Sequence, residues 1–238
     1  MAVKILAVET ATRMQSVAVM DETTVLARSD HDAAGSHARW LVPTIHRLLR
    51  DCGMTLRTLE GCAVSIGPGS FTGLRVGLAT LKGFRTVTGF PIAPVPTLEA
   101  MAWNLPDETR TLCPILKART GEVYWAVFRW ERPGRLARLS EDRVGSLPVL
   151  VNSLDGPTVV FGEGWVENRA EFLRLFQDRQ DRACEAPASA MAASAVSVGL
   201  AGRDRLSRGE SVAQDAAPRY VQRAEAELKW EQAQKSRV

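Results

Sequence analysis

The chain has 238 residues, of which 45% are hydrophobic and 24% charged, and 30 Lys and Arg against 27 Asp and Glu give a net charge of +3. This composition is typical of a globular protein, and the charge is too small for a dedicated nucleic-acid binder. The first ten residues show no signal-peptide pattern, and the small-residue stretch 186–202 is too short to span a bilayer. We therefore predict a cytoplasmic protein with no membrane segment and four reduced cysteines.

The first half of the chain has a strand pattern followed by an alternation of helices and strands. Residues 3–9, 15–21 and 23–29 are β-rich runs separated by polar turns, which predicts a three-stranded meander. Residues 35–53 carry apolar side chains at helical spacing, and Pro43 is expected to kink or restart that helix. Three further elements complete the unit: a strand at 62–66, a helix at 73–88 and a strand at 91–95.

The second half repeats the strand–turn–strand opening at 111–118 and 122–130, and a third strand is predicted at 134–141. The elements predicted after it are a helix at 147–153, a strand at 157–161, and helices at 164–177 and 187–202. The repetition predicts an α/β protein of two similar βββαβα domains, residues 1–105 and 106–217. Residues 218–238 are strongly helix-forming, and we predict that this helix packs back onto the first domain.

A glycine-rich loop, GPGSFTGLRVG, follows the predicted strand at 62–66. Its spacing differs from that of a nucleotide-hydrolysing P-loop, and Leu74 stands where the lysine of that motif belongs. The loop could still offer backbone N–H groups to an anion. It could equally be a tight strand-to-helix turn whose glycines permit positive φ and close packing, and the residue types alone favour this interpretation. The anion-binding candidates are Gly67, Gly69, Ser70 and Gly73.

The predicted helix after this loop is apolar or small on almost every side, apart from a narrow stripe of Arg75, Lys82 and Arg85. A helix of this kind is buried on more than one side. One side should cover the sheet. The other side either packs within the protein or contacts a partner.

Several segments, in order from residue 5 to about residue 221, resemble the TsaB (YeaZ) family of bacterial proteins. The resembling segments are ILAVETAT, GSHARWLVPTIHRLLRDCG, GPGSFTGLRVGLATLKG, PVPTLEAMA, KARTGEVYWAVF and AAPRYVQ. The resemblance implies an actin-like ATPase (ASKHA) fold and a part in making threonylcarbamoyladenosine on tRNA. It also implies a heterodimer with the catalytic paralogue TsaD, a larger complex with the ATPase TsaE, and contact with tRNA only through that complex.

The resemblance further implies that this chain is not itself catalytic and holds no metal or cofactor. TsaD carries two histidines at i and i+4 of a helix, where this chain has Thr97 and Met101. A threonine and a thioether are poor ligands for Zn, Fe or Mg. Relatives commonly have acids where this chain has Glu9, one methylene longer than aspartate, and Lys117, which reverses the charge. The three histidines are expected to be solvated or to cap helices.

By the same resemblance, the helices at 36–52 and 73–88 pair with the equivalent helices of TsaD, or with a second copy of this chain when TsaD is absent. Some of the candidate contact residues must face the sheet instead. The candidates are Leu41, Ile45, Leu48, Arg75, Leu78, Lys82 and Phe84. Two alternatives stay open: an actin-like ATP-binding enzyme acting in its own interdomain cleft, and the metallopeptidase suggested by an older label of the superfamily.

Overall fold

The computed structural model describes residues 3–33, 36–176, 183–211 and 216–222. Within these residues the strands form two sheets. The first sheet has the strand order β3-β2-β1-β4-β5. Its strands are β1 (Lys4–Glu9), β2 (Met14–Asp21), β3 (Thr24–Asp32), β4 (Gly61–Ser65) and β5 (Ile92–Val95).

The pairing of the first sheet confirms the predicted meander. β1 runs antiparallel to β2, from Lys4 opposite Asp21 to Glu9 opposite Ser16, and β2 runs antiparallel to β3. β1 runs parallel to β4. Because the carboxyl ends of parallel strands meet at one edge of a sheet, the turn after Glu9 and the glycine loop after β4 lie side by side.

Helices cover both faces of the first sheet. α1 (His37–Asp51) and α2 (Phe71–Thr88) pack against the face that carries Leu6 and Val8, and α6 (Ala195–Ser207) packs against the face that carries Ile5 and Ala7. This alternation is the period of two expected of a strand that is buried on both sides. α1 continues through Pro43 without restarting, and the alternative expectation of a kink stays a prediction. The proline is on the exposed side, and its ring removes only one backbone donor.

α6 lies against the first sheet, although the predicted domain boundaries place residues 187–202 in the second domain. α6 packs on all five strands of the first sheet. Small residues allow this close contact, because a Cβ added at Gly202 would lie 2.2 Å from the Cβ of Ala63. The division of the chain into two domains at residue 105 stays a prediction. Within it, α6 packs against the sheet of the first domain.

The second sheet has the order β10-β7-β6-β11-β12, and β8 pairs with β6 and β9. Its strands are β6 (Thr111–Lys117), β7 (Val123–Trp125), β8 (Phe128–Arg132), β9 (Arg135–Arg138), β10 (Arg143–Gly145), β11 (Thr158–Phe161) and β12 (Ala183–Glu185). Three helices accompany it: α3 (Thr97–Ala102), α4 (Leu147–Asn152) and α5 (Glu163–Leu175).

The single strand predicted at 122–130 is wrong, because the chain breaks into β7 and β8. At the break, the amide of Val127 donates to Ser140 Oγ at 2.9 Å, and its carbonyl accepts from the amide of Leu139 at 2.7 Å. These bonds to a neighbouring loop replace ladder bonds to β6, so the strand is interrupted there.

Residues 216–222, which we call the strap, connect the two sheets. The Arg219 amide donates to the carbonyl of Ile66 at 2.6 Å, next to the glycine loop. The Gln222 side chain donates to Glu122 at 2.7 Å, in the turn between β6 and β7. Residues 218–222 are not helical, so this part of the predicted carboxy-terminal helix is wrong, and residues 223–238 lie outside the described residues.

Candidate functional site

The glycine loop uses its backbone donors inside the protein. The Gly67 amide donates to Thr97 Oγ1 at 3.2 Å, and the Ser70 amide donates to the carbonyl of Ala11 at 2.6 Å. The Gly73 amide donates to Ser70 Oγ at 3.2 Å, which makes Ser70 the N-cap of α2. Each of these three donors already has an acceptor inside the protein, which favours the interpretation of the loop as a tight strand-to-helix turn.

Close packing explains the glycines instead. Gly69 has φ of +150°, and a Cβ there would lie 2.3 Å from the carbonyl oxygen of Ala11. A Cβ at Gly73 would lie 2.0 Å from the carbonyl oxygen of Thr10, and one at Gly67 would lie 2.4 Å from that of Arg219. The β1–β2 turn therefore packs against one side of the loop and the strap against the other, and neither contact leaves room for a side chain.

His37 belongs to the same packing. It is buried, and its Nε2 donates to the carbonyl of Thr12 at 3.1 Å, so the expectation of a solvated or capping histidine is wrong at this position. Burial lowers the pKa of His37, which favours the neutral ring.

α3 carries Thr97 and Met101, the two residues that the family resemblance compares with a histidine pair. Thr97 and Met101 are both fully buried. The hydroxyl of Thr97 accepts the Gly67 amide, and the Met101 methyl would lie 2.9 Å from a Cβ at Gly162. Between them, Glu99 accepts three hydrogen bonds from Arg205 of α6, at 2.7, 2.9 and 3.1 Å. In this chain the three side chains link elements of the fold.

Glu9 ends β1 in full burial. Its carboxylate accepts the amide of Ala11, and Oε2 has no hydrogen-bond partner. Burial raises the pKa of Glu9 to about 7, although a hydrogen bond with Ser65 opposes the rise. Lys117, at the matching end of β6, forms an ion pair of 2.8 Å with Glu167.

A cavity of 320 Å³ lies between the two halves of the molecule near these strand ends. Most of its lining is apolar, and Thr12, Glu163 and Glu167 are the polar exceptions. The other lining residues are Met14, Leu116, Val166, Met191, Ala192 and Ala193. Among the described residues, no group of three or more His, Cys, Asp or Glu side chains is arranged to hold a metal ion.

The outer side of α1 and α2 forms a large apolar groove. It has a volume of 650 Å³ and lies between these two helices and the short 3-10 turn Leu56–Thr58. Val87 is 65% exposed at one end, and Val42 is 47% exposed on α1. The groove is lined by Val42, Ile45, His46, Leu49, Arg50, Met54, Thr55, Leu56, Arg57, Phe84, Val87 and Thr88.

Four of the predicted interface residues face the sheet, as was expected of some of the candidates. Leu41, Ile45, Leu48 and Leu78 are at most 4% exposed and pack against the face of the sheet that carries Val8. Ile45 still touches the floor of the groove, but its side chain is committed to the core.

The other three predicted residues reach the surface in part or in full. Phe84 is half-buried and lines the groove, and Lys82 is half-buried on the same helix. The exposed Arg75 instead contacts the strap, where its Nε donates to the Tyr220 hydroxyl at 2.8 Å.

Val42 and Val87, which present the groove to solvent, are not among the predicted interface residues. The small residues Ala79 and Gly83, which permit close approach of another backbone, lie on the exposed side of α2. A signal existed for α1, whose charged residues Arg39, His46, Arg47 and Arg50 mark the outer face. On α2 the signal was weaker and consisted of the narrow stripe of Arg75, Lys82 and Arg85, because apolar or small residues otherwise surround the axis.

Comparisons with known proteins agree with the architecture. The sequence model of the family TsaD, tRNA N6-adenosine threonylcarbamoyltransferase, matches residues 30–138. The tRNA threonylcarbamoyladenosine biosynthesis protein TsaB of Escherichia coli (strain K12) is 34% identical over 169 residues, which cover 68% of this chain and 72% of that protein.

Solved structures show the same fold. YeaZ from Pseudomonas aeruginosa superposes with a TM-score of 0.77 at 23% identity, covering 92% of this chain and 99% of that one. Component A of the (R)-2-hydroxyglutaryl-CoA dehydratase of Acidaminococcus fermentans gives a TM-score of 0.53 at 10% identity, covering 87% of this chain and 100% of that one. The predicted actin-like fold is confirmed.

In the part of the chain that the structure describes, no helix has the length and apolar character needed to cross a bilayer. The ordered motifs, the fold and the identity to the Escherichia coli protein lead to one assignment. The chain belongs to the TsaB (YeaZ) family of tRNA threonylcarbamoyladenosine biosynthesis proteins.

Proposed function

We propose that this chain is the non-catalytic partner subunit of a tRNA threonylcarbamoyladenosine synthesis complex and forms a heterodimer with the TsaD paralogue. The observation that supports this most is the apolar groove outside α1 and α2, with Val42 and Val87 exposed beside it. A contiguous apolar surface of this kind on a globular protein marks an interaction site.

The expected occupant is a pair of helices related to α1 and α2. The TsaD sequence model matches residues 30–138, which include both helices, so the paralogue has counterparts of them. Ala79 is exposed, and a Cβ added at Gly83 would meet no atom within 4 Å, so another helix can approach α2 closely there. A stable contact of this type buries about 1,200–2,000 Å² in total.

The non-catalytic role is supported by the two residues, Thr97 and Met101, that this chain has in place of the paralogue's histidine pair. Thr97 and Met101 are buried and committed to internal contacts. In this proposal TsaD performs the transfer, TsaE supplies ATPase activity to the larger complex, and this chain stabilises TsaD in its working form.

Co-purification with TsaD tests the proposed surface. Leu78→Glu is unsuitable because it would place a charge in the core, so the variant of choice is Val87→Glu, on a side chain that is 65% exposed. Burying the new carboxylate in an apolar contact is unfavourable, and we expect at least a tenfold loss of affinity. Val149→Glu on α4, at a valine that is 56% exposed, is the matched control and should bind normally.

Retention of TsaD by Val87→Glu and by a second groove variant, Val42→Glu, would exclude this surface.

Reconstitution of tRNA modification tests the role itself. We expect TsaD, TsaE and the enzyme that makes threonylcarbamoyl-AMP to need this chain, and Val87→Glu to lose the same activity. Turnover by this chain without TsaD would contradict the proposal.

A further inference from the structure

A second cavity, which we call the strap pocket, lies between the glycine loop, the β6–β7 turn and the strap. Its volume is 340 Å³, within the range of small-ligand sites. Among the described residues that line it, three are cationic, three are aromatic and none is acidic. The cations are Lys117, Arg119 and Arg219, and the aromatic residues are Phe71, Tyr124 and Tyr220.

The aromatic wall is fixed in place before any ligand arrives. Phe71 and Tyr220 stack with ring centroids 4.8 Å apart. Arg75 lies over the Phe71 ring at 3.8 Å and donates to the Tyr220 hydroxyl at 2.8 Å. Tyr220 nevertheless stays 42% exposed. A rigid, partly exposed tyrosine ring is a surface on which a flat base can stack.

The cationic wall faces this ring from the second sheet and the strap. Lys117 pairs with Glu167 at 2.8 Å, and Arg219 pairs with Glu141 at 2.7 Å and lies 3.7 Å from the buried Asp142, but none of these acids lines the pocket. The carboxylates of Glu167 and Glu141 are 48% and 78% exposed, and exposed ion pairs of this kind are weak. A phosphate in the pocket can therefore compete for both cations.

The lining favours RNA over a metal-bound nucleotide. Mg²⁺ in triphosphate sites is held partly by carboxylates, and no carboxylate lines this pocket. Cations beside a stacking aromatic ring are instead the combination that binds single-stranded nucleic acid. We propose that the strap pocket binds one unpaired nucleotide of the tRNA, with its base on Tyr220 and its phosphate near Lys117 and Arg219. This inference rests on the proposed function and adds to it a direct RNA contact.

The test measures binding of a fluorescein-labelled 17-nucleotide anticodon stem-loop RNA to the full-length chain by fluorescence anisotropy. We expect Tyr220→Ala to raise Kd about tenfold through lost stacking. Lys117→Ala should also weaken binding and reduce the slope of log K against log salt by about 0.7, the loss of one phosphate contact to a single strand. Arg174→Ala, which removes an exposed charge of α5, is the control and should change Kd less than twofold.

Three outcomes overturn the inference. They are unchanged RNA affinity in both pocket variants, no RNA binding by the unsubstituted chain up to 100-fold excess, and binding of free AMP or ATP with no binding of the RNA. Co-purification of Lys117→Ala and Tyr220→Ala with TsaD is measured in parallel. If both variants bind TsaD normally and also bind RNA with unchanged affinity, the inferred RNA contact is wrong while the proposed function is unaffected.

Discussion

The glycine loop and the outer face of α1 and α2 differ in whether their interacting groups are already used inside the protein. This difference separates a structural motif from a binding surface. The loop is rich in glycine and hydroxyl groups, yet its donors at Gly67, Ser70 and Gly73 all have internal acceptors. The helical face is apolar, yet Val42 and Val87 remain exposed.

This difference teaches that residue type alone does not identify a site. A polar group whose hydrogen bonds are satisfied inside the protein has little left to offer a ligand. An exposed apolar side chain gains free energy when a partner removes it from water. The loop therefore stabilises the junction of three segments, and the helical face is available for binding.

The largest expected effect is at the loop. Gly69→Ala forces a side chain into φ of +150° and to 2.3 Å from the Ala11 carbonyl oxygen. We expect a loss of about 4 kcal/mol in the free energy of unfolding, measured by urea titration. Gly83→Ala in α2, where an added Cβ meets nothing within 4 Å, is the control and should gain about 0.5–1 kcal/mol. Equal stability of the two variants would contradict the explanation that close packing requires glycine in the loop.

The next effect separates the two sides of α2. Leu78 is 4% exposed and Val87 is 65% exposed. Truncating a buried leucine opens a cavity, so we expect Leu78→Ala to cost about 3.5 kcal/mol of stability. Val87→Ala should change stability by about 0.5 kcal/mol or less while still weakening TsaD binding. The opposite order in thermal or urea unfolding would mean that the helix is rotated from the orientation described.

The third effect concerns Glu9, next to the loop. Because burial raises its folded-state pKa from 4.5 to about 7, its stabilising contribution is complete below pH 4.5 and is lost as the pH rises through about 7. The loss at pH 8 amounts to about 3 kcal/mol.

Glu9→Gln removes this titration, so we expect the variant to exceed the unsubstituted chain in stability at pH 8 and to match it more closely at pH 5. Urea unfolding at a series of pH values measures this effect. Glu171→Gln, on the exposed side of α5, is the control. Parallel pH profiles for Glu9→Gln and the unsubstituted chain would show that the carboxyl is not buried as described.

Much of this protein was determined by its sequence alone. The alternation of Leu6 and Val8 with Ile5 and Ala7 sets β1 between two helical layers, and the ordered motifs identify the family and its actin-like fold. These features depend on residues close in sequence, where periodicity and turn chemistry act directly.

Only the tertiary structure decided which residues face solvent and which segments meet. The apolar residues of α2 surround its axis, so the exposure of Val87 and the burial of Leu78 depend on which side the sheet occupies. Contacts between distant segments had no local signal either, as with α6 on the first sheet and Arg219 beside Gly67. The physical reason is that such contacts depend on the shape of both contacting surfaces and on small residues in both. A single segment of sequence supplies only one of the two surfaces.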